Sequence, residues 1–174
     1  IISTNHTYHG NTALVSQLSD TNPSSSFSLN TFKRVFAPDS YRLNGSKNLE
    51  EYSRSFAQDI ERKINEFKKE NIGFAGIILC PFFANEGFPN LPNGWLEPAQ
   101  KIIKKHGGII IADEVQPGFG RLGSSMWSHD IIGIQPDIVT IGKPMANGHP
   151  VGALITNYNF ISEFRNKYLS LIHI

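Results

Sequence analysis

Two short stretches decide the fold of this chain: IIIADEVQ at residues 109–116 and DIVTIGK at residues 137–143. Each contains an apolar, β-branched run, which is typical of a strand buried in a parallel sheet, and each run ends in a charged residue. In open α/β sheets, ligands bind outside the carboxyl ends of the strands. We therefore expect Asp113 and Lys143 to face the same crevice.

A carboxylate and an amine in one crevice are the pair that a pyridoxal phosphate enzyme requires. Lys143 would supply the amine that bonds the cofactor, and Asp113 the carboxylate that pairs with the pyridinium nitrogen. Lys143 is the only one of ten lysines at the exit of an apolar strand, where we expect partial desolvation to favour a nucleophilic amine. The structural alternatives are a strand-end lysine in solvent and an aspartate that caps a turn.

Residues near this pair have the chemistry to enclose a planar ring. Val115 would pack on one ring face, and Gln116 would hydrogen-bond the phenolic oxygen of the ring. The triplet Tyr8-His9-Gly10 follows an N-terminal strand, so Tyr8 is placed to stack on the second face while Gly10 allows a close approach of the backbone. For this triplet alone, a surface Tyr–His pair is the structural alternative.

The composition is that of an ordinary globular protein of 174 residues, with 40% hydrophobic and 18% charged residues. A formal net charge of +1 gives no electrostatic case for binding nucleic acid or an anionic membrane. No run approaches the roughly 20 apolar residues of a membrane span. The single cysteine, Cys80, excludes an intrachain disulfide and favours a reducing compartment, so we expect a cytoplasmic protein.

Apolar runs alternate with amphipathic segments along the chain, which predicts an α/β fold with a mostly parallel, doubly wound sheet and no second domain. The expected strands are Ile1–Thr4, Phe74–Cys80, Ile109–Ala112, Ile138–Ile141 and Ala153–Thr156. The expected helices are Thr12–Leu18, Lys47–Asn71, Trp95–His106 and Asn159–Tyr168. We interpret residues 20–46 as a long connection without regular structure.

Taken together, the motifs of the chain resemble those of the class III pyridoxal-phosphate-dependent aminotransferases. The stretch GKPMANGHP at residues 142–150 resembles more closely a subgroup that holds alanine–glyoxylate aminotransferase 2-like proteins and ethanolamine-phosphate phospho-lyase. The resemblance covers nearly the whole chain. The motifs that carry it, in order, are Tyr8-His9-Gly10, residues 111–116, Gly118-Phe119-Gly120-Arg121, residues 136–139, Lys143 and Gly148.

This resemblance implies the large domain of the aspartate aminotransferase fold (fold type I), with residues 1–168 as its central part. It implies Lys143 as the Schiff-base lysine, Asp113 as the pyridinium partner, and an amino transfer from an amine or amino acid to an oxo acid. The cofactor-binding residues that it implies are Tyr8, His9, Gly10, Asp113, Val115, Gln116 and Lys143. Members of the family are dimers, so we expect a homodimer. A phospho-lyase of the same family is the alternative enzyme.

The chain departs from the family pattern in three places. The Gly/Ser-rich phosphate loop is expected before Ile1, which begins within a strand, so the chain resembles a fragment that would be inactive alone or contribute only to a dimer interface. Many members carry a glutamate, paired with a substrate-binding arginine, where this chain has Cys80, which argues against glutamate as the amino donor. Residues 169–174 do not match the expected segment, and we assign them no function.

The residues also suggest two other kinds of site. Gly118, Gly120 and Gly123 spell a dinucleotide fingerprint of a nicotinamide-dependent oxidoreductase, but five residues separate Gly118 from the preceding strand and no long apolar helix follows. His6 and His9 suggest a metal, but no third ligand lies at a suitable spacing. The sequence therefore favours a pyridoxal phosphate site and predicts no metal site.

Overall fold

The fold is built on a mixed sheet, seen in a computed structural model that describes residues 1–20 and 29–168. In that part of the chain the sheet has six strands in the order β2-β1-β3-β4-β5-β6. The strands are β1 (Ile2–Thr4), β2 (Lys33–Val35), β3 (Gly76–Leu79), β4 (Ile109–Asp113), β5 (Ile138–Ile141) and β6 (Ala153–Thr156). The first five are parallel and β6 runs antiparallel to β5, which confirms the mostly parallel α/β sheet.

Four α-helices accompany these strands in the described residues: α1 (Leu49–Lys69), α2 (Glu97–Lys105), α3 (Ser128–Ile132) and α4 (Tyr158–Tyr168). The longest, α1, begins at an N-cap, because Asn48 Oδ1 accepts a hydrogen bond of 2.9 Å from the Glu51 amide. Acidic residues in its first turn and lysines in its last turn complement the helix dipole. Its apolar residues form one stripe, which is buried.

The core lies where α1 and α2 pack against each other and against the sheet. Trp95 anchors this contact: its ring centroid lies 5.3 Å from those of both Tyr52 and Phe56. Its indole nitrogen donates to the Leu49 carbonyl over 2.8 Å, so the only polar atom of the side chain is satisfied. Burying α1 and α2 in this way leaves the carboxyl ends of the central strands free to form a site.

Two local predictions were wrong, and one short helix was missed. The connection at residues 20–46 contains the edge strand β2, which is only three residues long and begins with two basic residues, so no apolar alternation reveals it. The expected helix Thr12–Leu18 is a single 3-10 turn at Val15–Gln17. The short helix α3 was not predicted. The expectation for the tail at residues 169–174 lies outside the described residues.

The parallel strands bring their carboxyl ends to one edge of the sheet. Asp113 is the last residue of β4, and Lys143 follows the end of the neighbouring strand β5 by two positions. The register pairs Asp113 with Thr140 across these two strands. The loop after β1 and the residues after β3 reach the same edge. The two charged residues predicted to share a crevice therefore leave the sheet side by side.

Candidate active site

A cavity of about 220 Å³ lies at this edge of the sheet. Its walls come from the loop after β1, the segment after β3, the β4 end and the β5 exit. The residues that line it are Tyr8, His9, Gly10, Cys80, Ala84, Asn85, Asp113, Val115, Gln116 and Lys143. The structure thus brings together all seven residues that the sequence predicted for the site. Their role in binding a cofactor stays a prediction.

The carboxylate of Asp113 is buried and held from three sides. Its Oδ1 accepts hydrogen bonds from the Val115 amide at 3.1 Å and from the Thr140 hydroxyl at 3.3 Å. Its Oδ2 lies 2.6 Å from Nδ1 of His9. A carboxylate with this many fixed partners keeps one orientation. Asp113 is therefore preorganised, and the strand register that places Thr140 opposite it is part of the reason.

His9 stands behind Asp113, not at the surface. Its side chain is fully buried, so the surface Tyr–His alternative is wrong for the histidine of this triplet. The second ring nitrogen, Nε2, lies 3.0 Å from Oγ1 of Thr7, and the His9 amide donates to Ser19 Oγ over 2.9 Å. Tyr8, by contrast, is 38% exposed and lines the cavity. The triplet thus supplies one residue that supports Asp113 and one open aromatic wall.

Lys143 also lines the cavity, in a very different setting. Its side chain is exposed in the described part of the chain, so the partial burial of Lys143 that the sequence predicted is not observed there. Its Nζ donates to Gln116 Oε1 at 3.3 Å. Its backbone has φ of 44°, a left-handed conformation that costs free energy for a residue with a side chain. This strained position begins the short 3-10 turn Lys143–Ala146 and directs the chain back toward β6.

Glu114 is a residue of the site region that the sequence reading missed. Its side chain is fully buried and accepts four hydrogen bonds, from the amide and hydroxyl of Ser128 at 3.1 and 2.8 Å and from the amide and Nδ1 of His129, both at 2.8 Å. Because strand residues alternate in direction, Glu114 fixes α3 on one side while Asp113 faces the cavity on the other. The sequence signal that could have identified Glu114 is its charge directly after a buried strand.

Cys80 forms a neutral wall of the cavity. Burial raises the pKa of its thiol to about 11, and the nearby Asp113 carboxylate acts in the same direction. The side chain therefore remains a protonated thiol at neutral pH, and so a weak nucleophile. Asp113 is thus the fixed anionic group among the residues that line this cavity.

The glycine-rich turn after β4 has a structural explanation. A Cβ on Gly118 would lie 2.7 Å from the Glu114 carbonyl oxygen and 3.0 Å from the Trp127 ring, so only glycine fits there. Gly120 and Gly123 have φ of +73° and +85°, as tight turns require. The next helix in the described chain is the five-residue α3. The long helix that a dinucleotide site needs at its phosphate end does not follow.

Other kinds of site receive no support in residues 1–20 and 29–168. No group of three or more His, Cys, Asp and Glu side chains in this range is arranged to hold a metal ion. His6 lies 3.8 Å from an Asp20 carboxylate oxygen, and His9 is occupied by Asp113 and Thr7. Within the same range, no helix has the length and apolarity needed to cross a bilayer.

The chain is thus a mostly parallel α/β protein with a preorganised acid and an amine at neighbouring strand ends. A family model described as aminotransferase class-III matches residues 1–168. The chain belongs to the class III aminotransferase family, as its motifs indicated.

The curated relatives carry names of both activities found in the family. One is an alanine–glyoxylate aminotransferase 2-like protein of Drosophila melanogaster, 38% identical over 109 residues, or 63% of this chain and 22% of the relative. Another is an ethanolamine-phosphate phospho-lyase homolog of Caenorhabditis elegans, 34% identical over 116 residues, or 66% of this chain and 25% of the relative. The chain spans a quarter or less of the length of these relatives.

Solved structures of a phospholyase and a transaminase match the chain over more of its length than the curated relatives do. A phospholyase from Arthrobacter in complex with phosphoethanolamine matches with a TM-score of 0.85 and 30% identity, covering 95% of this chain and 39% of that one. An omega transaminase from Pseudomonas jessenii in complex with PMP matches with a TM-score of 0.84 and 29% identity, covering 99% and 39%. The fold-type expectation from the sequence is confirmed by these neighbours.

Proposed function

We propose that this chain is the central part of the large domain of a pyridoxal-phosphate-dependent aminotransferase. The enzyme would transfer an amino group from an amine or amino acid to an oxo acid. The observation that carries the proposal is the cavity in which Asp113 and Lys143 lie together with Tyr8, Val115 and Gln116. Membership in the class III family supports the reaction type.

The chemistry of the cavity fits the proposed cofactor. Among the residues that line the cavity, Asp113 offers a fixed carboxylate to a ring nitrogen, Gln116 an amide to a phenolic oxygen, and Lys143 an amine to an aldehyde. Tyr8 and Val115 would contact the two faces of the ring. When bound, pyridoxal phosphate supplies an electron sink for a carbanion. The phosphate-binding residues are not among those that line this cavity, and we place them elsewhere in the protein.

The residues of the chain then divide the work. Asp113 would hold a proton on the ring nitrogen, because its carboxylate is buried and fixed by three hydrogen bonds. Gln116 keeps Nζ of Lys143 at the cavity, as the 3.3 Å contact indicates. Nζ of Lys143 is the base within reach that would accept the proton from the substrate carbon and return it.

Borohydride reduction tests the assignment of Lys143. In the protein expressed from the complete reading frame and loaded with pyridoxal phosphate, reduction should attach the cofactor covalently to Lys143, as peptide mapping by mass spectrometry would show. Lys143→Ala should abolish the adduct. The exposed helix residue Lys167 offers a control, because Lys167→Ala should leave the adduct intact. An adduct on a different lysine would refute the assignment.

A phospho-lyase is the second candidate function. It is favoured by the Caenorhabditis elegans relative at 34% identity and by the Arthrobacter phospholyase, whose structure holds phosphoethanolamine, at a TM-score of 0.85. Incubation with phosphoethanolamine separates the two functions, because a phospho-lyase releases inorganic phosphate and an aminotransferase does not. Phosphate release that depends on Lys143 would favour the lyase. Oxo-acid-dependent conversion of an amino donor without phosphate release would favour the aminotransferase.

We also propose that the whole protein is a homodimer located in the cytoplasm. Membership in the family supports the dimer, and the large exposed apolar residues along α4 are consistent with a surface that another part of the assembly covers. The single cysteine supports the location. A human relative is named mitochondrial. Sedimentation velocity and fractionation of cells are the direct measurements.

A further inference from the structure

A chain of three polar side chains runs into the protein behind the cavity: Thr7, His9 and Asp113. Thr7 and the His9 side chain are fully buried, and Asp113 is 7% exposed. Oγ1 of Thr7 lies 3.0 Å from Nε2 of His9, and Nδ1 of His9 lies 2.6 Å from Oδ2 of Asp113. Both ring nitrogens of His9 are thus used, and neither faces water.

These contacts determine which protons His9 carries. A carboxylate only accepts hydrogen bonds, so Nδ1 must carry a proton toward Asp113. If Nε2 carried a proton as well, it would donate to Oγ1 of Thr7, and the Thr7 hydroxyl proton would need another acceptor. Among the described residues, His9 is the one partner of that hydroxyl. A buried donor without an acceptor costs free energy, so the arrangement with every group satisfied has a neutral His9 that accepts from Thr7.

We propose that Thr7 is a positioning residue that holds His9 as the neutral, Nδ1-protonated tautomer, so that Asp113 keeps its full negative charge for the cavity. An imidazolium at 2.6 Å would neutralise much of that charge, whereas a neutral ring only donates a hydrogen bond. The other titratable groups that line the cavity, Tyr8, Cys80 and Lys143, make no hydrogen bond to His9. The benefit to a pyridinium ring rests on the proposed function.

The tautomer can be measured without the cofactor. The protein from the complete reading frame is labelled with ¹⁵N in its histidine rings, and the His9 signals are identified by their loss in His9→Asn. In the cofactor-free protein at pH 7, we expect Nδ1 to be protonated and Nε2 to be unprotonated. A doubly protonated ring, or a proton on Nε2 alone, would overturn the proposal. This result does not depend on whether the protein is an aminotransferase.

Two substitutions separate positioning from simple packing. Thr7→Val keeps the shape of the side chain and removes the hydroxyl, whereas Thr7→Ser keeps the hydroxyl. We expect Thr7→Val to displace the Nε2 resonance, because Nε2 loses the hydroxyl that donates to it, whereas Thr7→Ser keeps the resonance of the parent protein. Thermal unfolding of both variants identifies any loss of fold. If Thr7→Val folds and leaves the His9 resonances unchanged, Thr7 does not position His9.

Discussion

The two halves of the acid–amine pair differ sharply in how firmly the chain holds them. Asp113 is buried, accepts three hydrogen bonds and is backed by the polar residues His9 and Thr7. Lys143 is exposed, has one 3.3 Å contact and a left-handed backbone. The acid is preorganised by the sheet and its loops, whereas the amine follows the end of β5, beside the antiparallel strand β6. Under the proposed function, the site would be rigid where it holds a ring and open where the reaction takes place.

The largest expected effect comes from the support beneath the rigid half. Glu114→Ala removes a fully buried carboxylate and leaves four donors of Ser128 and His129 without their acceptor. We expect the free energy of unfolding to fall by about 3–5 kcal/mol, as for other broken buried charge networks. Urea denaturation measures this loss. The adjacent Asp130, whose side chain is 57% exposed, provides the control, since Asp130→Ala should cost less than about 1 kcal/mol. Equal losses would remove the distinction between the two halves.

The next effect concerns the charge of the rigid half. Asp113→Asn keeps the shape of the side chain and removes the negative charge that faces the cavity. We expect cofactor-dependent turnover to fall about a hundredfold, which corresponds to about 2.7 kcal/mol, because a hydrogen bond to a charged group is lost. Single-turnover kinetics at saturating cofactor measures this fall in turnover. Turnover that stays within threefold of the original would show that the carboxylate is only structural.

A smaller effect is expected from Cys80, which forms a neutral wall of the cavity. Burial raises the pKa of the Cys80 thiol from 9.0 to about 11. A thiol whose pKa is higher in the folded than in the unfolded protein contributes its full stabilisation at a pH below the unfolded-state pKa. This contribution is lost as the pH rises from 9 to 11, because the unfolded chain then releases the proton more readily than the folded protein does. We expect a loss of about 2 kcal/mol over this window in the parent protein relative to Cys80→Ala. Urea denaturation of both proteins at pH 8 and pH 11 cancels the titration of other groups. Parallel pH profiles would contradict the burial of the thiol.

The residues that the sequence could predict are those whose position follows from strand periodicity and parallel pairing. Asp113, Val115 and Lys143 belong to this group, because each lies at or just beyond the carboxyl end of a buried strand. The burial of His9 could not be predicted, since its partner lies 104 residues away. The four bonds of Glu114 depend on α3, a helix too short for a periodic signal. Tertiary contacts of this kind leave no signal in the local pattern of the sequence.

The smallest expected effect tests the open half directly. Gln116→Ala removes the amide that accepts from Nζ of Lys143 at 3.3 Å, a contact at the exposed side of the cavity. We expect the free energy of unfolding to change by less than about 0.5 kcal/mol, since surface substitutions rarely cost more. Cofactor affinity should fall roughly threefold to tenfold through the loss of one hydrogen bond. Equilibrium dialysis and urea denaturation give the two numbers. Destabilisation comparable to that of Glu114→Ala would mean that the amine side is as firmly built as the acid side, and the contrast between Asp113 and Lys143 would then reflect exposure alone.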